Sequence, residues 1–141
     1  LIYKKMKKFI ILFFMLGNIC VFSQFTISTE YTDLYIWDDN NNEWGDVVSE
    51  YENYTFLEFN EEFTFMTLTS FGTKTSYFLN NPEYDEELDH HTYDATSDSG
   101  YETTLIVDIK AEKPNIRFIM DIEESTILVR HKVKTWFSDE E

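Results

Sequence analysis

Apolar and polar residues alternate with a period of two through much of the chain after Gln24, the signature of half-buried β-strands. The C-terminal third shows it best. Tyr101, Thr103, Leu105, Val107 and Ile109 fall on one face, with Glu102, Thr104, Asp108 and Lys110 on the other and Ile106 the exception. After a turn through Glu112-Lys113-Pro114, Ile116, Phe118, Met120 and Ile122 form the next inward face. Glu123-Glu124-Ser125 turns again, and Ile127, Val129, His131 and Val133 point in while Arg130, Lys132 and Lys134 point out. Three strands with short turns make a meander.

The same reading runs through the earlier part. Phe25 to Trp37 is one long strand that alternates as Phe25, Ile27 and Tyr31, then shifts phase near Asp33 to give Leu34 and Ile36, which predicts a bulge there. Asp38 to Glu43 is a turn by composition, and Trp37 and Trp44 flank it as a pair across a hairpin. Residues 44–52 fit a strand better than a helical turn, because Gly45 and the short length weaken the helical spacing. Strands follow at 54–59, 63–70, 73–79 and 90–97, with Asn80 to Asp89 as the clearest loop and Asp98-Ser99-Gly100 as a turn.

This density of strands and turns predicts an all-β domain: a single antiparallel meander of about eight or nine strands, closed as an up-and-down barrel or left as a curled sheet, with a β-sandwich as the alternative.

The first 23 residues stand apart. Lysines precede an apolar run from Phe9 to Leu16, Gly17-Asn18 breaks it, and Val21 and Ser23 occupy the positions read by a signal peptidase cutting before Gln24. The run is too short and interrupted for a bilayer-spanning helix, which takes about 20 apolar residues. Residues 1–23 therefore read as a Sec-type signal helix with a natural start at Met6, and residues 24–141 as one domain working outside the cytoplasm, periplasmic or secreted. Cys20 follows Ile19 rather than a small residue, which argues against a lipoprotein.

Cleavage changes the chemistry. The remaining 118 of 141 residues contain no cysteine, so no disulfide framework is available and stability rests on burial, with 20 aromatic residues to supply it. Four of the eleven lysines and arginines leave, so the net charge moves from −16 to −20. Lys74 is the one base in residues 24–109, against 20 acids. Such a charge repels nucleic acid and anionic lipid and favours cations or a basic partner.

Candidate chemistry is sparse. Asp39, Asn41, Glu43 and Glu50 have the spacing of a calcium loop, but Trp44 holds the position where that loop needs glycine. Asp89, His90 and His91 are metal-ligand types, yet adjacent histidines on a strand face opposite ways, and His131 would have to join one of them. The first set reads more plainly as a polar hairpin turn and the second as acids that associate loosely with divalent cations, and no built metal or cofactor site is expected. Asn53-Tyr54-Thr55 fits a glycosylation triplet, discounted for a bacterial-type leader. The cysteine-free mature chain has no G-x-S-x-G nucleophile elbow and no glycine-rich phosphate loop. Carboxylates are too abundant for a pair to carry meaning, so an enzyme is not expected and a hydrolase is the minor alternative. Arg117, Arg130, Lys132 and Lys134 would form a basic docking surface if the last two strands pair.

The cut before Gln24 and the phrases YTDLYIW, TSDSGYETTLIVDI and NIRFIM resemble functionally uncharacterised, small exported β-rich proteins of Bacteroidota-type bacteria. The resemblance implies export, and brings no activity and no site residues. The expectation is a non-enzymatic exported β-domain that binds a small apolar ligand or a partner protein, or a filled-core protein that works through its surface.

Overall fold

A computed structural model describes residues 25–138; residues 1–24, where a signal segment cut between Ser23 and Gln24 is expected, lie outside the described residues. Among the described residues there are nine strands: β1 (Phe25–Asp38), β2 (Glu43–Trp44), β3 (Ser49–Phe59), β4 (Phe65–Ser70), β5 (Thr73–Asp85), β6 (His90–Ser97), β7 (Glu102–Asp108), β8 (Asn115–Ile122) and β9 (Ser125–Ser138). Each pairs antiparallel with its sequence neighbour from β3 onward, and β1 pairs with both β3 and β9. The meander thus closes into an eight-stranded up-and-down barrel, with β2 extending the β1 edge above β3.

Closure follows from the alternation. Ile27, Leu57, Phe59, Met66, Leu105 and Ile116 all turn inward and are fully buried. Each such side chain stabilises the fold by about 1.5–3 kcal/mol. Eight strands enclose just enough room for side chains or one small ligand. The outward face carries exposed Glu50, Glu52, Lys74, Asp94 and Glu102, together with exposed Tyr54, Phe56 and Phe78. Among the described residues no helix is long and apolar enough to cross a membrane.

Several boundaries differ from the sequence reading. The β1 bulge lies between Thr29 and Tyr31, not near Asp33. Glu30 is the extra residue, so Thr29 and Thr32 are both buried, while Tyr31, expected inside, lies under the exposed Lys132. The loop expected at 80–89 is strand as far as Asp85. Asn81 and Pro82 form a bulge between the Asn80–Asp94 and Glu83–Thr92 pairs, where a proline has no ladder bond to lose. The strands expected at 44–52 and 54–59 are largely one strand, β3, which begins at Ser49 after a break at residues 45–48, and Phe63, expected in a strand, belongs to the β3–β4 turn. The Trp37–Trp44 pair forms as expected, edge to face at 5.1 Å.

Candidate functional site

The two ends of the barrel interior differ in chemistry. The lower end carries the β3–β4, β5–β6 and β7–β8 turns and the outer ends of β1 and β9. Here Phe25 lies 6.2 Å from Phe59 and 5.6 Å from Trp136. Phe63 completes the cluster, stacked on Phe59 at 4.9 Å and nearly parallel to Tyr93 at 6.4 Å. Asn60 sets this turn. Its side-chain oxygen accepts from the backbone amides of Thr64 and Phe65, and its amide donates to the Thr64 hydroxyl. The clamp holds Phe63 at φ 53°, a left-handed backbone that a bulky residue rarely adopts, and swings its ring into the mouth.

Beneath this end lies a cavity of about 480 Å³, walled by Phe25, Phe63, Tyr93, Val107 and Ile109. That is within the usual range for small-molecule sites. Glu61, Asp89, His91 and Lys110 form its rim. The Tyr84 hydroxyl donates to Asp89, which raises the phenol's pKa, and the Tyr84 ring lies 4.8 Å from His91. Burial likewise raises the Tyr93 pKa. Both phenols are therefore protonated at neutral pH. A larger hollow of about 700 Å³ lies along β5–β8, but it is open and largely polar, with Asp94 already accepting from Asn81 at 2.6 Å.

The upper interior is polar on the β9–β1–β3–β4 side. The Thr32 hydroxyl meets His131 Nδ1 at 2.9 Å and accepts from the Asn53 amide at 3.2 Å, while Ser70 reaches the Asn53 oxygen at 3.4 Å. Burial drives the His131 pKa down to about 4, with the Asp33 charge pulling weakly the other way. The imidazole is neutral at pH 7. Asn53 is buried, so the glycosylation triplet is closed to modification.

The calcium-spaced residues do not gather. Asn41 is tied to Asp38, Glu43 sits opposite Asp38, and Glu50 sits opposite Asp33. Those two levels are five residue steps apart along β1, roughly 16 Å of strand. Asp38 instead holds its own turn, and its bonds from Asn41 and Asn40 lower its pKa. His91 lies at the mouth, while His90 sits on the alternate face of β6. His131 is three strands from His91, roughly 14 Å along the sheet. Among the described residues, no group of three or more histidines, cysteines or acids is placed to hold a metal ion.

The basic stripe does assemble, with Arg117 opposite Arg130, but its charges are engaged. Arg130 makes a two-pronged bond to Asp33 at 3.0 and 2.8 Å and donates to the Tyr35 hydroxyl. Arg117 binds Asp108 at 3.1 Å, Lys132 lies over Tyr31, and Lys134 over Tyr54. Hydrogen bonds to Asp33 raise the Arg130 pKa, whereas burial lowers that of Arg117. The stripe is bracketed by acids from β1 and β7 and offers little free charge for docking.

Of the mouth residues the sequence singled out only Asp89 and His91, as metal-ligand types; the apolar walls were not legible as a site. Val107 and Ile109 read as ordinary inward positions, and nothing local marks Phe63 as a residue that folds back. Comparison with protein-family models, curated proteins and solved structures gave no match to this chain.

Proposed function

We propose that this is an exported, non-catalytic β-barrel domain that takes a small apolar ligand at its lower mouth. The observation that carries the reading is the cavity of about 480 Å³ walled by Phe25, Phe63, Tyr93, Val107 and Ile109, at the end of a barrel whose middle is packed. Aromatic walls bury a large part of a flat apolar molecule. The leader-like first 23 residues support work outside the cytoplasm.

Nile red titration tests this. One-to-one binding with a blue-shifted emission is expected, and Ile109→Trp, which fills the mouth, should weaken it about tenfold or more. Binding unchanged by Ile109→Trp would overturn the reading.

A second reading, surface interaction with a partner protein, is favoured by one observation. Phe71 is 77% exposed and sits at φ 53° in the Phe71-Gly72 turn, where asparagine would be the easier residue. Tyr101 is exposed in the neighbouring β6–β7 turn. Loss of a co-purifying protein in Phe71→Asn, with Nile red binding intact, would favour this alternative.

A further inference from the structure

Within the reading of the mouth as an apolar ligand site, we infer that its ligand is a lipophilic cation: an organic amine or quaternary ammonium with a flat apolar body. The walls fit the body, and the rim decides the charge. Phe25, Phe63 and Tyr93 present aromatic rings, whose faces attract a cation. Glu61 and Asp89 bring two carboxylates to the rim against the single ammonium of Lys110. Asp89 accepts a hydrogen bond from the Tyr84 hydroxyl, which fixes the carboxylate at the rim. A neutral ligand would gain the apolar walls but would leave the carboxylates without a counter-charge. An anion would meet Lys110 alone, within the field of a chain of net charge −16. A cation takes the ring faces and the carboxylates together.

The test uses three probes with one body: naphthylmethylamine, naphthylmethanol and naphthoate, each titrated calorimetrically into the protein at low salt and neutral pH. The amine should bind about tenfold tighter than the alcohol, with the carboxylate weakest. Added salt should erode the amine's advantage. Glu61→Gln with Asp89→Asn should bring the amine down to the alcohol. Asparagine tolerates the left-handed backbone at position 89, where φ is 54°, so the fold is kept. Lys110→Gln should tighten the amine further. Equal binding of all three probes, or a preference for naphthoate, would overturn the cation assignment and leave the apolar site standing. No binding by any probe would overturn both.

Discussion

The lower and upper halves of the barrel interior are built from the same alternation but held by different forces. The lower half is rings: Phe25, Phe59, Phe63, Tyr93 and Trp136. Their burial needs no hydrogen-bond partner, so a cavity at the edge of the cluster leaves no polar group unpaired by its apolar walls. The upper half, on the β9–β1–β3–β4 side, joins His131, Thr32, Asn53 and Ser70 by directional bonds. Each buried polar group there needs its partner, because an unpaired one costs about 1–3 kcal/mol. The cavity thus lies where the interior is apolar, and registry is set where it is polar and specific.

That contrast can be broken most strongly from below. Phe59 is fully buried, and Phe59→Ala should cost about 3–5 kcal/mol in urea unfolding. A loss below 1 kcal/mol would mean that the aromatic cluster does not hold the barrel.

Acid should break it from above. His131 has a folded pKa near 4 and an ordinary value of 6.5. Between those values the unfolded chain binds a proton that the folded one refuses, so stability rises with pH. It is full above about pH 6.5, falls as pH drops towards 4, and is lost by about 3 kcal/mol in all. His131→Gln should flatten that part of the pH profile measured by denaturant midpoint. An unchanged slope would place the acid sensitivity elsewhere.

Thr32→Val keeps the shape but removes the hydroxyl shared by His131 and Asn53, and should cost about 1–3 kcal/mol with Nile red binding at the mouth unaltered. A matched loss of probe binding would show that the halves are coupled. The smallest effect is expected outside both. Phe71→Asn relieves the left-handed strain of an exposed turn residue and should raise thermal stability by about 1 kcal/mol. Destabilisation instead would show that the Phe71 ring packs in solution.

Much of the fold was legible because alternation depends on residues close in sequence. The faces 103–105–107, 116–118 and 129–131–133 could be read directly, and so could the Trp37–Trp44 hairpin. The bulge at Glu30 could not, because Thr29, Tyr31 and Thr32 are all compatible with either face. Its placement decides that Asp33 faces out to meet Arg130 across β1 and β9, a pair 97 positions apart. Asn80 to Asp85 looked like loop because Pro82 and the acids suit a turn equally well, and only the β6 partner makes a bulged strand of them. The site was least legible of all. Phe63 is an aromatic residue beside a strand, and the Asn60 clamp that turns it inward is a local bond without a simple sequence signature.

By itself the sequence determined an antiparallel chain of eight or nine strands, an acidic exterior and a core that must hold without disulfides, since period and composition are properties of neighbouring residues. Closure of the barrel through β1 and β9, the burial of Asp33, and the cavity under Phe63 were decided by the tertiary structure. Each depends on side chains brought together across strands far apart in the chain, and no local pattern specifies which of them will meet.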